Sequence, residues 1–145
     1  ARPGIAVDVV IGSTTPHRAA TEARIAALPG AQLHVQTSRM AELIASADLA
    51  IGACGSSTWE RCCLGLPTLA LVLADNQRQG AAALHAAGII VNLGEAQAMM
   101  PAALAAATAG LMADRAARLA LSERSLALGA DTGPDLIDLL VGAGT

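Results

Sequence analysis

The glycine-rich segment at residues 52–60, GACGSSTWE, holds the residue types best suited to binding an anion. Its glycines allow backbone N–H groups to approach a ligand closely, and its hydroxyls add donors at the start of a predicted helix. The chain contains no lysine, so a phosphate loop that depends on a lysine is excluded. The segment therefore predicts a diphosphate-binding loop formed by Gly52, Gly55, Ser56, Ser57 and Thr58.

Glu60 follows these hydroxyls within one helical turn, and two interpretations of it are open. As a ligand-binding residue, its carboxylate would accept two hydrogen bonds from the 2′- and 3′-hydroxyls of a ribose. As a structural residue, it would complete the capping box S-x-x-E that starts at Ser57. The loop spacing differs from G-x-G-x-x-G, which disfavours a Rossmann-type NAD site, and no G-x-S-x-G nucleophile elbow is present.

A second polar group, Asp75-Asn76-Gln77, directly follows an apolar run and is a further candidate site. The amides of Asn76 and Gln77 could bind sugar hydroxyls or phosphate, whereas Asp75 or Asn76 could instead cap a helix. Gly12 and Ser13 end the first predicted strand, where they either face the same cleft or only turn the chain.

His17 and Cys54 are the remaining candidates for catalysis, and neither is predicted to be catalytic. A lone histidine in the first turn of a surface helix is more often solvated, and Cys54 has no histidine paired with it in the sequence. The three cysteines, at positions 54, 62 and 63, form neither a C-x-x-C pair nor an even disulfide set. We therefore expect free thiols in a reducing cytoplasm, with no metal ligands in the chain.

Short apolar runs alternate with helical patterns, which is typical of a parallel sheet covered by helices. The predicted strands are 5–11, 32–35, 49–51, 67–73 and 88–91. The predicted helices are 15–28 with Thr15 as N-cap, 39–45, one from 57, one ending near 87, and two or three in total over 95–128 and 134–141. The predicted fold is an α/β, doubly wound, Rossmann-like parallel sheet with a helical C-terminal cover, forming one domain over 1–145. Because ligands of such folds bind beyond the carboxyl ends of the strands, one rim is expected to hold 12–15, 36–40, 52–60 and 75–77.

Composition argues against several classes of partner. The net charge is −3, and the nine basic residues, all arginine, are scattered along the chain, so nucleic-acid binding is not expected. The most apolar segment, 96–112, is interrupted by Pro101 and Thr108, so no membrane span is expected. No signal peptide is visible, and a start at Ala1 is what we expect of a piece of a longer cytoplasmic protein.

The stretch 47–67, ADLAIGACGSSTWERCCLGLP, followed by LADNQ at 73–77, resembles the PseG family. These are UDP-sugar hydrolases of pseudaminic acid biosynthesis that are related to spore-coat polysaccharide proteins. More broadly, the stretch is similar to the C-terminal half of MurG-type glycosyltransferases, which have the GT-B fold. The resemblance covers residues 5–90 and implies that this chain is the UDP-binding C-terminal domain of a two-domain protein.

The resemblance also implies roles for individual residues. Glu60 matches the acidic residue that holds the uridine ribose, and residues 55–58 match the diphosphate loop. Asn76 and Gln77 match a polar pair that reaches phosphate or sugar. The loop from Gln36 to Met40 would frame the uracil, largely through its backbone. No cofactor is implied, and the family's general base is a histidine of the N-terminal domain, so this chain alone is expected to be inactive.

The activity implied for the parent is hydrolysis of a UDP-2,4-diacetamido-2,4,6-trideoxy-hexose, in which water attacks the anomeric carbon and UDP leaves. Two alternatives remain open: the donor-binding domain of a MurG-like glycosyltransferase, and a nucleotide-binding domain without catalysis. The expected partners are a UDP-sugar, the missing N-terminal domain and, through an exposed cleft face, a second copy of the chain.

Overall fold

The structure, a computed structural model, describes residues 4–130, so the predicted helix 134–141 lies outside the described residues. The strands are β1 Val7–Ile11, β2 Ala31–Val35, β3 Ala50–Ala53, β4 Thr68–Val72 and β5 Val91–Glu95. The helices are α1 Arg18–Ala26, α2 Met40–Ser46, α3 Ser57–Cys63, α4 Arg78–Ala86, α5 Pro101–Ala113 and α6 Arg115–Ala130. Every strand pairing described is parallel, which confirms the predicted Rossmann-like α/β class.

The chain divides into two compact units, with the boundary between Leu43 and Ile44. In the first unit, β1 pairs with β2 from Val7 opposite Ala31 to Ile11 opposite Val35, and α1 packs on β2. The order in the second unit is β3-β4-β5, with β4 in the centre. That residues 1–145 form one domain stays a prediction.

The central strand β4 is covered by helices on both of its faces. Ala70 and Val72 belong to an apolar cluster with residues of α3 and α4, whereas Leu69 contacts Leu111 of α5 and Leu121 of α6. Successive residues of a strand point to opposite faces, so the two clusters explain why the strand is apolar from Leu69 to Val72. The carboxyl end of β4, which leads to the candidate residues 75–77, is thereby fixed to a well-packed core.

Several predicted boundaries were wrong, two of them for local reasons. The first helix begins at Arg18 rather than after Thr15, because the Thr15 hydroxyl donates to the Gly12 carbonyl at 3.0 Å and closes a turn. The predicted fifth strand, 88–91, shares only Val91 with β5, because Gly88 (φ +70°) follows α4 in the left-handed region and the strand runs on to Glu95. The helix predicted from about 95 accordingly begins later, at Pro101.

The helices α5 and α6 form the predicted C-terminal cover. Pro101 occupies the first turn of α5, and the Asp114 carboxylate accepts a hydrogen bond from the Ala117 N–H at 2.9 Å at the start of α6. Within residues 4–130, no helix is both long and apolar enough to cross a membrane.

Candidate functional site

The loop between β3 and α3 presents backbone donors that the protein does not use. The Cys54 N–H donates to the Leu71 carbonyl at 3.1 Å, which ties the loop to β4, and the Thr58 N–H donates to the Gly55 carbonyl at 3.0 Å. The N–H groups of residues 55, 56 and 57 donate to no acceptor in the part of the chain that the structure describes. Three neighbouring donors are therefore available to an external acceptor.

Arg61 holds this loop from below and was not identified from the sequence. Its side chain is buried (8% exposed), and Nη2 donates to the Ala53 carbonyl at 2.7 Å and to Thr58 Oγ1 at 3.2 Å, while Nη1 donates to Ser57 Oγ at 3.1 Å. A Cβ atom at Gly52 would lie 2.8 Å from Nη1, so a larger residue there would displace the guanidinium. Burial lowers the pKa of Arg61 below its ordinary value. The sequence did contain a signal for these contacts, because Arg61 follows Thr58 by three residues and Ser57 by four, which places the three side chains on one side of a helix.

The three hydroxyls of the loop occupy different environments. Ser56 is exposed and Ser57 is half-buried, whereas Thr58 is fully enclosed (0% exposed). Thr58 Oγ1 donates to the Ala53 carbonyl at 3.4 Å while it accepts from Arg61. The Thr58 hydroxyl thus serves the loop's own structure, and its predicted contact with phosphate stays a prediction.

Glu60 lies on α3 and does not form the capping box with Ser57 that was its structural alternative. The N-cap of α3 is Ser56, which makes no side-chain cap hydrogen bond, and the Ser57 hydroxyl accepts from Arg61 instead. Glu60 is exposed, and its carboxylate forms no hydrogen bond or ion pair within residues 4–130. The structural alternative is therefore absent, and the carboxylate is free to accept from a ligand.

The predicted polar group after β4 does reach the loop through one residue. The Gln77 Oε1 atom accepts from the Leu73 N–H at 2.9 Å, which orients the amide, and a Cβ atom at Gly55 would lie 3.3 Å from Gln77 Nε2. Asn76 is exposed. Asp75 pairs with Arg78 at 3.1 Å, and neither Asp75 nor Asn76 caps a helix through its side chain. Gly55 and Gln77 thus form one edge of the candidate site.

In the first unit, the structure brings together Gly12, Ser13 and Gln36. The Ser13 N–H donates to Gln36 Oε1 at 3.2 Å, so the Gln36 side chain, and not only its backbone, shapes this turn. Gln36 also has φ +50°, a conformation that is uncommon outside glycine. Met40 begins α2, and His17 is exposed. The assignment of Gly12, Ser13, Gln36 and Met40 to the nucleotide stays a prediction.

The two buried cysteines do not have the properties of nucleophiles. Cys54 and Cys62 are buried in the core beneath the loop, and burial raises the pKa of both thiols, that of Cys62 to about 11. Cys63 is exposed. Among residues 4–130, no group of three histidine, cysteine or acidic side chains is arranged to hold a metal ion.

Comparison with known proteins gives one informative match. A curated protein of Bacillus subtilis strain 168, spore coat polysaccharide biosynthesis protein SpsG, is 38% identical over 85 residues. The match covers 59% of this chain and 25% of that protein's length. This chain is therefore related to a polysaccharide biosynthesis protein. Neither a protein-family model nor a solved structure matches it.

Proposed function

We propose that this chain binds the nucleotide diphosphate of a UDP-sugar and that its parent protein acts on that sugar in polysaccharide biosynthesis. The observation that carries the proposal is that two features lie next to each other: three free backbone N–H groups in the loop, and the exposed carboxylate of Glu60 on the helix that follows. The sequence similarity to SpsG supports a role in polysaccharide biosynthesis.

Each part of the site has a distinct task in this proposal. The N–H groups of residues 55–57 and the Ser56 and Ser57 hydroxyls donate to the diphosphate, and the Gln77 amide closes one side of the loop. Glu60 accepts from the ribose 2′- and 3′-hydroxyls. Asn76, exposed beside Gln77, reaches toward the sugar. In this proposal the chain positions the leaving UDP, and the general base comes from another part of the parent protein.

For the parent we propose hydrolysis: water attacks the anomeric carbon, the bond from that carbon to the diphosphate oxygen breaks, and UDP leaves. Transfer to a sugar acceptor would use the same nucleotide site. Release of UDP by the full-length protein in the absence of an acceptor distinguishes hydrolysis from transfer.

Replacing Glu60 with alanine is expected to weaken UDP binding by about 1–3 kcal/mol, because the ribose loses a charged hydrogen-bond acceptor. The sharpest measurement compares UDP with 2′-deoxy-UDP by calorimetric titration. The wild-type chain is expected to prefer UDP, and the Glu60→Ala variant is expected to bind both ligands equally.

The matched control is Glu123→Ala, which removes another exposed helical carboxylate of the second unit and leaves the loop intact. It should preserve the preference for UDP. If Glu60→Ala keeps the wild-type preference, or if Glu123→Ala abolishes it, the ribose role of Glu60 is refuted.

A further inference from the structure

The buried guanidinium of Arg61 treats the two inner hydroxyls of the loop differently. Thr58 Oγ1 accepts from Arg61 at 3.2 Å and donates to the Ala53 carbonyl, so its single proton is used. Ser57 Oγ accepts from Arg61 at 3.1 Å and donates to no acceptor within residues 4–130. A hydroxyl has one proton to donate, so the proton of Ser57 alone remains available.

The charge of Arg61 is compensated only in part: burial has the largest effect on its pKa and lowers it, while the charge of the neighbouring Glu60 carboxylate opposes this with a smaller effect. No carboxylate among the described residues forms an ion pair with its guanidinium. Its Nε atom is buried without a hydrogen-bond partner. An arginine remains protonated in proteins, and a buried charge without a partner is costly. An anion bound on the loop would offset that cost.

We infer that Arg61 is a positioning residue for the diphosphate. Because Arg61 donates to Ser57 Oγ, the Ser57 hydroxyl is left to donate its own proton to the diphosphate. The positive charge of Arg61 also attracts that anion to the loop. The inference rests on the proposed function, because it concerns the same site. A hydroxyl that accepts from a cation is a stronger donor to an anion, so Arg61 and Ser57 act as one unit. Thr58 serves only to hold Arg61 in place.

The test is a titration of the chain with uridine, UMP and UDP, followed by NMR chemical shifts, which reach millimolar constants. Arg61→Gln is expected to weaken UDP binding about tenfold and uridine binding less than about twofold, because only the phosphates lose a charged donor system. Ser57→Ala should show the same selective loss. The double variant should lose less than the product of the two single losses, since the two residues form one unit.

Arg118→Gln is the matched control, because Arg118 also donates to backbone carbonyls, of Leu111 and Met112, but lies at the α5–α6 corner. It should leave all three affinities unchanged. Arg61→Lys, which keeps the charge, should recover part of the UDP affinity. If Arg61→Gln fails to fold, Ser57→Ala and Arg61→Lys carry the same comparison.

Equal weakening of uridine and UDP in the Ser57 and Arg61 variants would overturn the inference while the proposed function stands. Strictly multiplicative losses in the double variant would also overturn it. A wild-type chain that does not bind UDP would instead refute the proposed function itself.

Discussion

The Leu84→Ala variant is expected to lower the free energy of unfolding by about 2–5 kcal/mol. Leu84 lies on α4 and is 1% exposed, in the cluster that also contains Ala70 and Val72 of β4 and the buried thiols of Cys54 and Cys62. Removing its side chain loses apolar burial and leaves a cavity between the helix and the strand that carries the candidate site.

The measurement is urea unfolding followed by the fluorescence of Trp59, which is the chain's only tryptophan. Leu119→Ala makes the same chemical change at a helical position that is 51% exposed, and it should cost less than about 1 kcal/mol. Equal losses in the two variants would contradict the description of the α4 face as core.

Raising the pH from about 9 to 11 is expected to destabilise the fold by about 2 kcal/mol through Cys62. Burial raises the pKa of this thiol from 9.0 to about 11. In that window the unfolded chain has released the proton and the folded chain still holds it. Stability from Cys62 is therefore fully present below pH 9 and is lost as the pH rises toward 11.

The pH dependence of stability in this range is simple to interpret, because the chain contains neither lysine nor tyrosine. The two residue types that ordinarily lose a proton just above pH 9 beside cysteine are therefore absent. Urea unfolding at several pH values is expected to show a steep loss of stability in the wild type and in Cys63→Ala, whose thiol is exposed. Cys62→Ala should lose less. Parallel pH profiles for Cys62→Ala and the wild type would contradict a raised pKa.

The fold was predictable because its signals are local. The β-branched and aliphatic runs at β1 and β4 and the glycine-rich loop at 52–60 each identify an element without knowledge of its neighbours. The strand at 67–73 was recognised as buried on both faces from its apolar composition, and the structure confirms this for Thr68–Val72. The predicted start of the first helix and that of the fifth strand were wrong because a single turn determines each, at Thr15 and at Gly88.

The inner organisation of the site was not predictable in the same way. An arginine in the segment WERCC has the appearance of a surface residue, and its burial depends on the carbonyl of Ala53 being left free by the end of β3. Similarly, Ser57 and Thr58 are equivalent in a motif, and only the position of Arg61 makes one hydroxyl available and encloses the other. The spacing of Arg61 from Ser57 and Thr58 allows both contacts, but only the burial of its guanidinium against the loop decides how each hydroxyl is used.

The most direct test of the central claim is a calorimetric titration of this chain with UDP, with ADP as the comparison. We expect saturable UDP binding with a dissociation constant between about 1 μM and 1 mM, and weaker binding of ADP. Trp59 lies between Thr58 and Glu60 in the chain, so its fluorescence provides an independent measure of ligand binding. Absence of UDP binding at ligand concentrations well above about 1 mM would contradict the assignment of residues 52–60 as a nucleotide diphosphate site. Equal affinity for ADP would contradict the choice of uridine as the nucleoside.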